Sequence, residues 1–157
     1  MSLTRRQLLL LSLLSAPALG KGVLDWQREN LLIASQLERI GTGGKFMLLK
    51  PEHTSGVGGH PEKTFHGYPI RASAILEAAD TRFLCAALSK SLRRYSIRDG
   101  VSKSFAPRHG LRLPQLDLLI SFECWQLYAY SNGRPQHGYL RGGQEAFDQQ
   151  AKKLLPR

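Results

Sequence analysis

The sequence predicts an α+β domain in which helices pack on one face of a mainly antiparallel sheet. Three segments have the apolar spacing of amphipathic helices, and the stretches between them have the apolar content of strands. Helices that come before, between and after strands favour this arrangement. The chain has 157 residues, of which 42% are hydrophobic and 22% charged, so we expect a single domain over residues 21–157.

Helices are predicted in the first, middle and last parts of this domain. Residues 25–40 begin with Asp25, a favourable N-cap, and Gly41 follows them as a helix terminator. A second helix is predicted to start at Asp80, another favoured N-cap, with leucines at helical spacing on one face. The segment GGQEAFDQQAKKLLP predicts a C-terminal helix.

Strands are predicted where apolar or aromatic runs are bounded by Gly, Pro or Asn, at residues 46–49, 68–76, 101–105 and 116–130. The last run contains no Gly, Pro or Asn, so it predicts one long strand with a bulge or bend near Glu123 and Cys124. The segment SNGRP that follows it predicts a turn.

The tetrapeptide Pro107-Arg108-His109-Gly110 is predicted to form a turn before the long strand. Gly110 would supply a backbone conformation that other residues resist. Asp117 is then expected to be the ionic partner of Arg108 or Arg112.

The first twenty residues have the composition of a secretory signal peptide. A short basic head precedes an apolar stretch, Leu8 to Leu14, and small residues follow at Ala16, Ala18 and Gly20. The apolar stretch is shorter than the ~20 residues that a membrane span needs. Residues 4–9, TRRQLL, resemble a twin-arginine signal. No cysteine follows the apolar stretch, so we expect a periplasmic or secreted product without a membrane anchor after cleavage.

The chain is strongly basic, with a formal net charge of +10. Loss of Arg5 and Arg6 with the leader leaves 20 basic against 12 acidic residues, or +8. The remaining cations are scattered along the sequence, whereas proteins that bind nucleic acids usually cluster them on one face with aromatic residues between them. The charge therefore favours a protein partner with an acidic site over a nucleic acid.

Cys85 and Cys124 are the two cysteines of the chain. In an exported protein they could form a disulfide, which would stabilise the fold by about 4 kcal/mol in the chain-entropy model. Free cysteines are also common as small buried apolar residues, and that alternative stays open.

An enzymatic interpretation would use His109 as a base, Ser104 or Cys124 as a nucleophile, and Asp117 or Glu123 as the orienting acid. The chain would then be a small hydrolase or a metal-dependent enzyme. None of the local motifs that surround an activated serine or cysteine is present, so a catalytic role is not the favoured prediction.

Three histidines, His53, His60 and His66, lie in a segment rich in Gly and Pro. Histidine is the commonest ligand of zinc, but six and five residues separate these three, which is wider than the spacing of compact zinc sites. No metal and no cofactor are predicted, and the histidines are expected to be solvated loop residues.

The residues that best fit a protein interface are arginines and aromatic residues in the last third of the domain. Tryptophan, tyrosine and arginine carry much of the binding energy of interfaces, and arginine can pair with carboxylates through two hydrogen bonds. The predicted partner-binding residues are Arg108, His109, Glu123, Trp125, Tyr128 and Arg134.

The segments SFAPRHG and DLLISFEC are similar to a pattern in small, uncharacterised exported bacterial proteins. In those proteins cysteine stands at the positions of Ser104 and Ser121, so this chain keeps only one thiol, Cys124, in the second segment. The resemblance covers roughly the second half of the chain. It implies export but no activity.

These observations lead to a functional hypothesis of a non-enzymatic, exported binding protein. Within that class we favour an immunity or inhibitor protein that neutralises a partner protein by occluding its site. Attraction between the basic chain and an acidic site would raise the rate of association more than the final affinity.

Overall fold

The computed structural model describes residues 23–53, 63–96 and 104–156, and within them it confirms the predicted α+β class. The predicted leader lies outside the described residues. The helices are α1 (Val23–Glu38), α2 (Ala78–Arg94) and α3 (Gln144–Leu154). The strands are β1 (Gly44–Leu49), β2 (Thr64–Phe65), β3 (Tyr68–Leu76), β4 (His109–Leu113), β5 (Leu116–Ser121), β6 (Gln126–Ser131) and β7 (Arg134–Tyr139).

All seven of these strands belong to one antiparallel sheet, in the order β2-β3-β1-β4-β5-β6-β7. The register between β1 and β3 shifts at Leu48/Leu49. Such a bulge increases the local twist of a sheet. The sheet curls so far that His66, in the turn between β2 and β3, stacks on Tyr130 of β6 with ring centroids 4.1 Å apart.

The main core lies between one face of the sheet and the helices, as the sequence predicts. Alternate residues of the strands point to this face, among them the fully buried Leu111, Leu118 and Leu127. They pack with the leucines of α2, including Leu84 and Leu88. The spacing of leucines that predicted α2 is therefore the spacing that fills this core.

Asn30 fastens α1 to the rest of the fold. Its buried amide nitrogen donates hydrogen bonds to the carbonyl oxygens of Leu92 (3.0 Å) and Tyr139 (2.9 Å). The backbone N–H of Tyr139 donates to the amide oxygen of Asn30 at 2.8 Å. One side chain thus links α1, the last turn of α2 and the end of β7.

A smaller cluster covers the opposite face of the sheet, where the β2–β3 hairpin folds over the centre. Phe65 lies directly above Gly110, and a Cβ atom at Gly110 would come within 2.7 Å of its ring. Gly110 belongs to β4 and does not have a positive φ. The predicted turn at residues 107–110 is therefore wrong, because glycine is needed there for the close approach of Phe65.

The predicted single strand over residues 116–130 is also wrong. The structure has two paired strands, β5 and β6, joined by a turn over residues 122–125. Trp125 closes this turn with a φ of 55°. Tryptophan rarely adopts this left-handed conformation, and the turn contains none of the residues that usually mark one.

Other boundaries differ by a few residues. Helix α2 begins at Ala78 rather than Asp80, whose carboxylate instead accepts a hydrogen bond from Gln150 of α3 at 2.7 Å. Of the strand predicted over residues 101–105, residues 101–103 lie outside the described part, and Ser104 and Phe105 are not in a strand. The turn in SNGRP and the C-terminal helix are confirmed.

Candidate functional site

Three of the predicted partner-binding residues lie at one end of the sheet, where β4 and β6 begin and β5 ends. Arg108 precedes β4, and its Nε donates a hydrogen bond to Oε1 of Glu123 at 3.0 Å in an exposed ion pair. Trp125 follows in the same turn as Glu123. We call these three residues, Arg108, Glu123 and Trp125, the Trp125 surface.

Trp125 is held firmly although 39% of it is exposed. Its carbonyl oxygen accepts a hydrogen bond from the backbone N–H of Leu140 at 2.8 Å. Its indole packs edge-on against Phe122 with centroids 6.0 Å apart, and Phe122 in turn packs on Phe147 of α3 at 5.2 Å. A left-handed non-glycine residue costs roughly 1–3 kcal/mol, and such strain is concentrated at functional sites.

The structure does not bring Tyr128 and Arg134 to this surface. Arg134 follows the β6–β7 turn at the other end of β6, about 20 Å away at the usual rise of a strand. Tyr128 lies on the sheet face opposite the helices, stacked on His137 with centroids 4.4 Å apart. These residues lie close together in the sequence, which predicted one patch. The alternation of side chains along β6 places Tyr128 on one face of the sheet, and the length of β6 places Arg134 far from Trp125.

His109 faces the helices and lines an open groove beneath α3. Its ring stacks on Phe46 (5.6 Å) and meets Phe147 edge-on (5.2 Å). Burial lowers the pKa of His109 to about 4, while the Asp148 carboxylate opposes this shift and the Arg108 cation adds to it. The imidazole is therefore neutral at neutral pH and is a weak base.

The residues of the enzymatic interpretation do not form a catalytic arrangement within the described residues. No hydrogen bond joins His109 to Ser104 or Cys124, and the Cys124 thiol instead donates to the Ser121 carbonyl at 3.8 Å. Phe105, next to Ser104, packs against Tyr128 on the face opposite His109. The acids are also engaged elsewhere, since Asp117 pairs with Arg112 and Glu123 with Arg108.

Both cysteines are buried free thiols in the structure, so the disulfide that the sequence allowed is not formed. Cys85 packs in the main core between α2 and the sheet. Burial raises the pKa of the Cys85 thiol to about 11, which keeps it protonated and unreactive.

Ser121 has a fully buried hydroxyl oxygen with no hydrogen-bond partner among the residues that the structure describes. An unsatisfied buried hydroxyl destabilises a fold by roughly 1–3 kcal/mol. We therefore expect Ser121→Ala to raise the free energy of unfolding by about 1 kcal/mol in urea titrations. The matched control is Ser89→Ala, which should destabilise because the buried Ser89 hydroxyl donates to Glu38. Equal losses in both variants would contradict this assignment.

His53 and His66, the described histidines of the segment rich in Gly and Pro, have different contacts. The ring of His53 meets Tyr68 edge-on at 5.1 Å, and His60 lies outside the described residues. His66 is bonded through Nε2 to Oδ2 of Asp117 at 2.9 Å. Within residues 23–53, 63–96 and 104–156, no three His, Cys, Asp or Glu side chains are grouped as metal ligands.

The network around Asp117 was only partly predictable. The expected pair with Arg112 is present, with Nε and Nη2 of Arg112 donating to the carboxylate at 3.3 Å each. The contact with His66 was missed, because the two residues are 51 positions apart and β2 is only two residues long. The available sequence signal for this hairpin was the dipeptide His66-Gly67. Both residues have a positive φ, which the turn of a two-residue hairpin requires and which glycine tolerates.

A second surface feature lies between α2 and α3. A cleft of about 360 Å³ is lined by three cations, Lys90, Arg94 and Arg141, and by Phe83, 46% of which is exposed. No acidic residue lines it among the described residues. We call it the basic cleft.

No helix in the described part of the chain has both the length and the apolarity to cross a membrane.

Comparisons of the chain with protein-family models, with curated proteins and with solved structures found no match.

Proposed function

We propose that this chain is a non-enzymatic, exported binding protein that inhibits a partner protein by occluding its site, as an immunity protein does. The observation that carries the proposal is Trp125, a large aromatic side chain fixed at the surface by a strained backbone and by the packing of Phe122. Export to the periplasm or the exterior rests on the sequence of the leader alone.

A rigid exposed tryptophan is suited to insertion into a pocket of a partner. Tryptophan is among the residues that dominate binding energy when an interface buries them. Because Trp125 is already fixed, little conformational entropy is lost when it binds. The Arg108–Glu123 ion pair beside it provides a polar rim that can exclude water from the contact.

The charge distribution supports an acidic partner. The basic cleft places three cations and an exposed phenylalanine on the helical side of the domain. Glu38 neutralises Arg93 nearby, with Nε of Arg93 2.9 Å from the carboxylate, but no acidic residue among those described lines the cleft itself. An acidic site on the partner would thus be attracted before contact, which increases the association rate.

The proposal can be tested by crosslinking in the cells that produce the protein. A photoreactive amino acid at position 125 should capture one protein in stoichiometric amount, whereas the same amino acid at position 134, at the far end of β6, should not. The purified chain should then inhibit the activity of the captured protein at a one-to-one ratio. Capture at both positions alike, or no loss of the partner's activity, would count against the proposal.

Substitutions at Trp125 should separate binding from stability. Both Trp125→Gly and Trp125→Ala are expected to weaken partner binding at least tenfold, because each removes the indole. Trp125→Gly should be more stable than Trp125→Ala by about 1 kcal/mol, since glycine tolerates a φ of 55° and alanine does not. Thermal unfolding and a binding titration measure the two effects. Binding retained by either variant would remove Trp125 from the interface.

A further inference from the structure

The groove beneath α3 has the size and walls of a small-molecule site. Its volume is about 490 Å³, which lies within the ~300–1,000 Å³ of typical ligand pockets. The apolar part of the wall comes from β1 and from the end of α3, and it consists of Phe46, Leu48, Ala151 and Leu155. Such a wall accommodates an aliphatic or aromatic group by excluding water from it.

His109 supplies a directional polar group on the sheet side of this groove. Its Nδ1 is inaccessible to solvent and has no hydrogen-bond partner in the described part of the chain, which leaves the Nε2 edge to face the groove. A buried N–H without an acceptor is rarer than a buried lone pair without a donor, so the proton of the neutral ring belongs on Nε2. Packing between Phe46 and Phe147 fixes the direction of this donor.

Two charged residues of opposite sign complete the groove. Asp148 and Lys152 are four residues apart on α3, so they lie one above the other on the same face of the helix. The groove therefore presents a neutral N–H donor, an anion and a cation beside an apolar wall. A ligand with a single net charge would be attracted by one of these ions and repelled by the other.

We propose that the α3 groove binds a small, net-neutral amphipathic molecule, for which apolar α-amino acids are the simplest chemical class. The carboxylate of such a molecule accepts hydrogen bonds from Nε2 of His109 and from Lys152. Its ammonium group donates to Asp148, and its side chain packs against Phe46 and Leu48. This site is separate from the Trp125 surface, so binding in the groove can be tested without any protein partner.

The test is a titration of the purified protein with L-phenylalanine and L-leucine. Calorimetry and NMR of the His109 ring monitor the binding. Two analogues, octanoate and phenethylamine, each carry only one of the two charges. We expect the amino acids to shift the His109 resonances at concentrations below about 10 mM, and the analogues to bind at least tenfold more weakly. The site assignment is overturned if the amino acids leave His109 unchanged, and the head-group assignment is overturned if an analogue binds as tightly as phenylalanine.

Substitutions at the two charged residues of α3 that line the groove provide a second readout, since neither side chain belongs to the hydrophobic core. Lys152→Gln and Asp148→Asn should each weaken phenylalanine binding about tenfold, because each removes one charge-assisted hydrogen bond. The matched controls are Lys153→Gln and Glu145→Gln, which change the same charges at residues that do not line the groove. Equal affinity in the test variants and in the controls would place the ligand elsewhere.

Discussion

Asn30→Leu is expected to lower the free energy of unfolding by about 3 kcal/mol, because the lost amide satisfies three buried backbone groups. Leucine has the same number and branching of side-chain heavy atoms and leaves no cavity, so the loss comes from the hydrogen bonds. The carbonyls of Leu92 and Tyr139 and the N–H of Tyr139 would remain buried without these partners. Urea unfolding followed by circular dichroism measures the difference.

The control for this prediction is Gln27→Leu, one turn earlier on α1. Gln27 is exposed, so its substitution should change the free energy of unfolding by no more than about 0.5 kcal/mol. A second variant, Asn30→Asp, keeps the acceptor for the Tyr139 N–H but removes both donors, and it should also destabilise strongly. If Asn30→Leu unfolds at the same urea concentration as Gln27→Leu, the hydrogen bonds of the Asn30 amide do not stabilise the packing of α1.

The second large effect is a loss of stability at mildly acidic pH that depends on His109. The pKa of its imidazole is about 4 in the folded chain and 6.5 ordinarily, because burial disfavours the charged ring. Between these values the unfolded chain binds a proton that the folded chain does not. Protonation of His109 should therefore not affect the free energy of unfolding above pH 6.5. It should lower that free energy by about 3 kcal/mol as the pH is lowered to 4.

Replacement of His109 by phenylalanine should flatten this dependence, because the new ring packs among Phe46 and Phe147 without titrating. His137 contributes in the same direction, since burial lowers its pKa too, so some slope should remain. Glu38 acts in a lower range. Its pKa is lowered to about 2 by hydrogen bonds from Arg93 and Ser89, so its contribution is lost as the pH falls from 4.5 towards 2. An unchanged slope between pH 6.5 and 4 in His109→Phe would refute the assignment.

The helices were predictable because their apolar residues repeat at the period of a helix and face one core. In α2, the buried Leu84, Leu88 and Leu92 are spaced four apart, and packing reinforces the local preference. The start of the helix was predicted two residues too late. Asp80 has the side chain of a good N-cap, but Gln150, seventy positions further along the chain, determines what its carboxylate does.

The hairpin of β5 and β6 was missed because its turn breaks the usual relation between sequence and backbone conformation. A left-handed residue in such a turn is usually glycine or asparagine, and here it is Trp125. Tertiary contacts hold it, namely the hydrogen bond from Leu140 and the packing of Phe122 on Phe147, and no local pattern reveals them. The same fact makes Trp125 the most informative residue of the candidate site.

The position of His109 was foreseen as important but its surroundings were not. Sequence proximity grouped it with Ser104 and Cys124, although strand alternation sends His109 to the helical face of the sheet. The groove it lines is completed by α3, about forty residues later in the chain. Contacts between such distant segments depend on how the sheet and the helices pack, which the local sequence does not determine.

Four aromatic rings in contact, those of His109, Phe147, Phe122 and Trp125, connect the groove to the surface tryptophan. If a ligand in the groove changes the affinity of the Trp125 surface for its partner protein by some factor, thermodynamic linkage requires a reciprocal effect. The partner protein must change the affinity of the groove for that ligand by the same factor. The proposed inhibition would then vary with the concentration of the amino acid that the groove is proposed to bind.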